Sequence, residues 1–492
     1  MRKFTTKDIM TPIEAKITEA TILMNMGDTS TAMAVLCDVF EEDPHNLTAI
    51  DTLFLLYYQQ KAFETAIQIM SPILEKMPDP DRLSNRGLAY FEMKYFKEAM
   101  ADYEQALKLD PNHAIAWNNI GDAFKALNRY DECLDALDKS IELDPNFIQP
   151  RMNKGIVYSD LGDYDKANEA FESALKLDFS HGDTMFAYSL NLLKMGDYTK
   201  GLNCYEKRWD SKVGKEHKRQ FKQPSWHRYI DLEDESIFIY AEQGLGDAIQ
   251  MARFFKDIAD KGARVVAETD KPLMELFKTV PGVDEVVIRN GYPTKVVDYQ
   301  LPIMSLPFQL GITLDNIPYA DGYIKANNKK VKGWRKKLGK KTKPRVGIVW
   351  GSSSDFQQDH KRSMSFAEFS KCLPEGFEYI CLQPFIKTTD YDAVSSRKDV
   401  RLFCEDLKDF TETAALIENL DLVVSTCTSV PHLSGAMGKP TWIIIPYSAD
   451  WRWGISGSTT PWYSSVTLFR QTDMNSWTGI LNQVREELTK YK

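Results

Sequence analysis

Three short stretches in the second half of the chain carry residue types from which a site for phosphate binding or hydroxyl activation can be built. The first is AEQGLGDAIQ, Ala241 to Gln250. Gly244 and Gly246 permit a tight strand-to-helix turn, and Asp247 falls at or near the start of the helix that follows. Asp is a favoured N-cap, so Asp247 reads either as a cap or, from its expected position at the mouth of a cleft, as a site residue. The pattern stops short of GxGxxG, so a dinucleotide fingerprint is not supported. The second stretch, WGSSSDFQQDHKRSM, runs from Trp350 to Met364 and ends on the basic pair Lys361 and Arg362. Small residues and backbone N–H groups beside an ammonium suit a diphosphate, and the same composition also describes a surface loop. The third, STCTSVPHLSGAMGKP, delivers Thr428 and Ser429 to the expected start of a helix through His432 to Met437, with Pro431 near its first turn. Helix N-termini bind phosphate through unpaired N–H groups and the macrodipole. His432 reads either as a packed histidine or as a contact to ribose or phosphate.

Two further features have competing readings. Trp451 and Trp453 in DWRWG directly follow the strand-like run TWIIIP and either stack on a base or sugar or close the lobe. Asp390-Tyr391-Asp392 is a DxD sequence of the kind that can hold a divalent ion, but no apolar strand delivers it. In a chain with 70 acidic residues it reads as chance. The seven cysteines show no CxxC pair or Cys/His cluster, which suits a reducing cytoplasm and points to neither a disulfide framework nor a structural zinc.

Composition narrows the classes. The chain has 492 residues, 43% hydrophobic and 27% charged, an ordinary globular mixture that leads one to expect two or three domains. A net charge of −9 argues against nucleic acid as a partner. The longest basic run, Lys329 to Lys343, reads as a linker and a solvated helix face. The N-terminal MRKFTTKDIM lacks a signal-peptide apolar core, and no segment reaches the ~18 apolar residues of a membrane span. The expected location is the cytoplasm.

The elements that must position the motifs fall into two regimes. In the first, Gly87, Gly121 and Gly155 recur every 34 residues. Tyr90, Phe124 and Tyr158 follow three positions on, Ala99, Cys133 and Ala167 twelve positions on, and Pro111 and Pro145 close two units. This pattern resembles the tetratricopeptide repeat, with about six units over residues 1–210, counting weaker copies upstream and a partial one at Tyr198 and Tyr205. Such an array presents a surface for a peptide or partner protein, or serves as a cap or a homo-oligomer contact. In the second regime, strand-like SIFIYA, ARVVAET, DEVVIR and KVVDYQL alternate with helical runs, and a second series begins at RVGIVWG and continues through EYICLQ, LDLVVST and TWIIIP. Alternation of this kind predicts two Rossmann-like lobes, over residues 211–335 and 336–492, facing a cleft into which the motifs at the strand ends open.

From about Ser236 to Lys492 the chain resembles the heptosyltransferase-type GT-B glycosyltransferases, particularly those fused to tetratricopeptide repeats. The resemblance rests on EQGLGDAIQMARF, VPGVDEVV, LPIMSLP, RVGIVWG, DFTETAALIENLDLVVST, HLSGAMGKPTW, PYSADWRWG and TPWYSSVTLFRQ. The architecture is also similar to protein O-GlcNAc transferases. The resemblance implies an inverting transfer from a nucleotide sugar to an acceptor hydroxyl, with no metal or other cofactor. It makes Asp247 the general base. It gives a nucleotide-sugar site drawn from Gln243, Gly244 and Gly246 in one lobe. In the other lobe it draws on Trp350, Gly351, Ser352, Lys361, Arg362, Gln383, Thr428, Ser429, His432 and Trp451. One departure is Cys427-Thr428, where relatives commonly show Asp-Thr. The acceptor is expected to be a protein or glycan recognised by the repeats. Two alternatives remain: a non-catalytic scaffold with a nucleotide-binding or degenerate GT-B half, and a sugar-nucleotide epimerase or hydrolase.

Overall fold

The structure is a computed structural model, and it describes residues 10–351 and 362–491. The first part is built from antiparallel helix pairs: α1 (Pro12–Asn25) with α2 (Thr29–Glu42), α3 (Leu47–Gln59) with α4 (Phe63–Lys76), and α5 (Pro80–Glu92) with α6 (Phe96–Leu109). They continue as α7 (Ala114–Ala126) with α8 (Tyr130–Leu143), α9 (Ile148–Leu161) with α10 (Tyr164–Leu177), and α11 (Gly182–Met195) with α12 (Tyr198–Tyr205). The six pairs match the expected number of repeats. The 34-residue recurrence of glycine has a direct steric cause. A Cβ at Gly87 would sit 2.5 Å from the Tyr103 ring, and one at Gly121 would sit 2.9 Å from Leu137 Cδ2. Helix A of each unit therefore lies against helix B only where a side chain is missing. The small residues Ala32, Ala66, Ala99, Cys133 and Ala167 are buried on helix B and serve the same close approach.

The second part holds two parallel sheets. β1 (Ser236–Tyr240), β2 (Arg264–Thr269), β3 (Glu285–Ile288) and β4 (Tyr299–Pro302) form one sheet in the order β3-β2-β1-β4. β5 (Arg345–Val349), β6 (Glu378–Cys381), β7 (Val400–Arg401), β8 (Leu422–Thr426), β9 (Thr441–Ile445) and β10 (Val466–Arg470) form the other, in the order β10-β9-β8-β5-β6-β7. Counted within its own sheet, the second order is the doubly wound 3-2-1-4-5-6, and the first is its four-stranded core, 3-2-1-4. Strands β1, β5 and β8 are buried along their whole length, as expected of parallel strands covered on both faces. The strand order reverses between β1 and β4 in one sheet and between β5 and β8 in the other, and ligands bind such sheets at the carboxyl ends of these strands. The basic run after Asn327 forms the helix Asn328–Leu338, which buries Val331, Trp334 and Leu338 and turns its lysines outward.

The division into compact units differs from the expected boundary at residue 210. One unit comprises residues 1–157 and 172–178, the other 158–171 and 179–492. The last repeat belongs with the sheets because its side chains are built into them. Trp462 donates from Nε1 to the Tyr198 hydroxyl at 2.9 Å. Arg208, just after α12, makes a two-pronged ion pair with Glu242 at the end of β1, at 2.7 and 2.9 Å.

Candidate functional site

At the carboxyl end of β1 the chain passes through Ala241, Glu242 and Gln243 into the helix Leu245–Met251. Gln243 has φ 57°, a left-handed conformation that costs energy for a residue with a side chain. It is held by an Arg289 hydrogen bond to its carbonyl and by its own side-chain amide on the Tyr205 hydroxyl. Gly244, not Asp247, is the N-cap; Asp247 is the third residue of the helix and closes the turn by accepting the Gly244 N–H on Oδ2 at 2.9 Å. Its other oxygen, Oδ1, accepts from Arg452 Nη2.

Across the cleft, β8 leads through Cys427 and Thr428 into the helix Ser429–Ala436. Thr428 is its N-cap but its side chain makes no capping hydrogen bond, and the hydroxyls of Thr426 and Thr428 are buried without a partner among the described residues. Unpartnered hydroxyls beside uncapped N–H groups are what an anion at this point would satisfy. His432 is 6% exposed. It shares a hydrogen bond of 3.0 Å with the Tyr463 hydroxyl and stacks on Trp453 at 5.1 Å. Burial, reinforced by the positive charge of Arg452, pushes its pKa down to about 3, so the ring is neutral. The two helix starts touch. A Cβ at Gly246 would lie 2.9 Å from His432 Cδ2 and 3.5 Å from Ser429 Cα. Glycine at 246 is thus what lets the Asp247 turn meet the His432 helix.

The structure brings together Gln243, Gly244, Gly246, Asp247, Thr428, Ser429 and His432. Trp350 and Gly351, at the end of β5, are adjacent to the end of β8 because Val349 pairs with Ser425. Gln383 sits at the end of β6 and accepts both of their N–H groups, at 2.8 and 3.2 Å, so it positions the turn after β5. One expected site residue turns its side chain elsewhere. The Trp350 indole is 1% exposed, donates to Asp390 Oδ2 at 2.8 Å and packs on Phe366; only its backbone borders the strand end. Trp451 packs edge-on to Tyr198 at 5.8 Å and to Trp462 at 5.7 Å, and it lines the groove beside the last repeat. Ser352 and Lys361 lie outside the described residues. Arg362 is described, and its charge acts on both Cys427 and His432. Cys427, raised to about 11 by burial, accepts a hydrogen bond from Trp453 Nε1 at 3.1 Å. Asp390 of the DxD sequence holds Trp350 Nε1 and the Phe366 N–H. Among the described residues no group of three or more His, Cys, Asp or Glu gathers as a metal site.

Sequence reasoning passed over Arg452. It is 6% exposed and bridges the lobes, with Nη2 on Asp247, Nε on Gln250 and Nη1 on Asp450 at 2.9 Å. Burial opposes its charge, but Asp450 and Asp247 more than compensate and raise its pKa. Burial likewise opposes ionisation of Asp450, and Arg452 reverses the balance and lowers it. The available signal was an arginine between two tryptophans directly after a strand, a charge with no route to solvent except through partners. Arg253 is a second bolt: it donates to the carbonyls of Pro318 and Trp462 and lies against the rings of Tyr323, Trp462 and Tyr463. Beside Arg452, a groove of about 360 Å³ runs between Lys194–Tyr198 of the last repeat and the 451–461 loop.

Profiles of the tetratricopeptide repeat match residues 87–128, 114–147 and 148–181, so the chain carries these repeats. Among curated proteins it is similar to Protein FlbA of Caulobacter vibrioides, 25% identical over 317 residues, covering 59% of this chain and 52% of FlbA. It is also similar to Protein O-mannosyl-transferase TMTC1 of Mus musculus, 28% identical over 113 residues, covering 22% of this chain and 12% of that protein. The chain therefore spans about half of the first relative and about an eighth of the second. Of solved structures, it is similar to a tetratricopeptide repeat protein from Parabacteroides merdae, with a TM-score of 0.34 and 20% identity over 40% of this chain and 78% of that one.

Proposed function

We propose that the chain is a glycosyltransferase of the GT-B type. On this reading it moves a sugar from a nucleotide sugar to an acceptor hydroxyl with inversion and without a metal ion. The observation that carries the reading is the contact of Gly246 with His432. It sets a carboxylate, Asp247, opposite a helix start with unsatisfied hydroxyls, where a diphosphate would sit. The donor's diphosphate binds the N–H groups at the start of the helix Ser429–Ala436, with Thr428 and Ser429 as hydroxyl donors and Arg362 as a nearby charge. Asp247 takes the proton of the acceptor hydroxyl as that oxygen attacks the anomeric carbon from the face away from the leaving group. The helix dipole stabilises the charge that grows on the departing diphosphate. Gln383 and the backbone of Trp350 and Gly351 shape the nucleotide side. His432, neutral at physiological pH, offers a hydrogen bond without adding charge.

The acceptor is a protein or glycan approached through the groove beside the last repeat, with the repeats recognising it. A relative whose name is Protein O-mannosyl-transferase also supports a transferase reading, over a short shared stretch. The test is a panel of nucleotide sugars, measured for binding by calorimetry and for slow hydrolysis, on wild type and Asp247→Asn. One sugar nucleotide should bind and turn over, and the variant should lose about 100-fold or more of the turnover. No binding to any member favours the scaffold alternative. Turnover at the wild-type rate in Asp247→Asn removes the base assignment.

A further inference from the structure

Asp247 is the base in the reading above, yet one of its oxygens is already engaged by Arg452. With Oδ1 on a guanidinium and Oδ2 on a backbone N–H, both oxygens of this carboxylate are engaged, and an acceptor hydroxyl would have to share Oδ1 with Arg452. Arg452 belongs to the lobe that carries the phosphate-type helix start, while Asp247 and Gln250 belong to the other. We propose that Arg452 is shared between two anions: it pairs with Asp247 until a diphosphate occupies the start of the helix Ser429–Ala436, then passes its Nη2 hydrogen bond to a phosphate oxygen and leaves Asp247 Oδ1 open to the acceptor. This inference rests on the transferase reading and deepens it.

Four observations carry it. The guanidinium faces two carboxylates, Asp247 and Asp450, so it can lose one and remain paired. The Asp450 bond is local, two residues away in the chain, and survives the exchange. The charge of Arg452 reaches the helix start, since it acts on both Cys427 and His432. Gln250, fully buried and bonded to Arg452 through Oε1, keeps an Nε2 donor without a partner among the described residues, so the cluster has a donor to spare for an incoming acceptor atom. A diphosphate competes with a single carboxylate for the Nη2 hydrogen bond because it brings more negative charge and more acceptor oxygens. Asp247 does not drift when released, because Gly244 N–H still holds Oδ2. Donor binding thus arms the base, and the donor must bind before the acceptor reacts.

The experiment is a double-mutant cycle on the full chain, read by calorimetry with ADP, GDP, UDP and CDP and the matching monophosphates. Asp247→Asn removes the competitor for Arg452. It should therefore tighten diphosphate binding by about fivefold or more while monophosphate binding stays put. Loss of simple charge repulsion would also tighten binding, so the second arm decides. In an Arg452→Gln background, where the diphosphate binds more weakly, Asp247→Asn should no longer have an effect. Arg452→Lys should restore part of the diphosphate preference. If Arg452→Gln does not fold, the Arg452→Lys background takes its place, with the gain expected to shrink. Unchanged or weaker diphosphate binding in Asp247→Asn overturns the exchange, as does a gain that persists in full without Arg452. A wild-type chain that binds none of these nucleotides defeats the transferase reading and the exchange together, whereas nucleotide binding with a flat cycle defeats the exchange alone.

Discussion

The two sheets use the same strand order, yet their strand ends are finished in opposite ways. At the ends of β1 and β2 in the first lobe, the carboxylates of Glu242 and Glu268 are saturated. Glu242 receives both prongs of Arg208 and the Met304 N–H, and Ser305 is shared between Arg208 and Glu206. Glu268, at the end of β2, accepts the Ala241 and Asn290 N–H groups and an Arg219 guanidinium. The Thr269 hydroxyl beside it is an exception among the described residues, as are Gln300 Oε1 on β4 and Gln250 Nε2. In the second lobe the end of β8 carries Thr426 and Thr428 hydroxyls without partners, an uncapped helix and a neutral histidine. A saturated end holds its own geometry, and an unsaturated one leaves polar groups that an anion would satisfy. Under the proposed function, a ligand's phosphate would sit on the second lobe, with the first lobe supplying the edge that carries Asp247.

The largest effect should come from breaking the saturated end. Arg208→Met leaves Glu242 and Glu206 buried without their cation, and burial already pushes Glu206 upward. Removing one partner of such a network costs about 3–5 kcal/mol, read as a large drop in Tm. A wild-type Tm would mean that the first lobe does not depend on this pair, and the contrast between the ends would fail.

The next effect appears only in acid and belongs to the other lobe. His432 titrates near 3 in the fold, against 6.5 in solution. The unfolded chain therefore takes up its proton first as pH falls. Stability from this residue is whole above about pH 6.5 and declines toward pH 3, with about 2–3 kcal/mol lost near pH 4.5. His432→Gln should flatten that part of the stability curve relative to wild type while other acid-sensitive groups, Asp450 among them, act in both. Parallel wild-type and variant curves between pH 6.5 and 4.5 would show that the ring is not held neutral.

A smaller effect tests the contact between the lobes. Gly246→Ala drives a methyl group against His432, whose ring is fixed between Trp453 and Tyr463, and should cost about 1–3 kcal/mol. Gly121→Ala makes an equally short contact in the repeats, 2.9 Å, but with the flexible end of Leu137, and should cost less. Equal losses would place the site contact on the same footing as ordinary repeat packing.

The repeats were readable because the same steric demand recurs every 34 residues, and each recurrence is a separate witness in the sequence. Strand runs such as SIFIY and LVVST were readable from their apolar density. Asp247, Thr428 and His432 could be placed because each follows a strand at a turn of small residues. What escaped was pairing over distance. Arg452 meets Asp247 across 205 positions, and nothing local to either residue announces the other. For the same reason the last repeat read as part of the array, although Tyr198 binds Trp462 across 264 positions. The Trp350 indole is likewise settled by a distant partner, Asp390, 40 positions on, which no feature local to the tryptophan announces.

The smallest effect has an unusual sign. Thr428→Val replaces a buried, unpartnered hydroxyl with a methyl group of nearly the same volume. In a structural threonine the change would cost a hydrogen bond, but here there is none to lose. Without added nucleotide the variant should be neutral or more stable by up to about 1 kcal/mol, since an unsatisfied polar atom is removed from the interior. The same variant should bind nucleoside diphosphates several-fold more weakly, by about one hydrogen bond to a charged group. Stability and affinity then move in opposite directions, which is the mark of a group kept for a ligand and not for the fold. If Thr428→Val lowers Tm and leaves diphosphate affinity alone, the hydroxyl serves the helix, and the end of β8 is as self-sufficient as the end of β1.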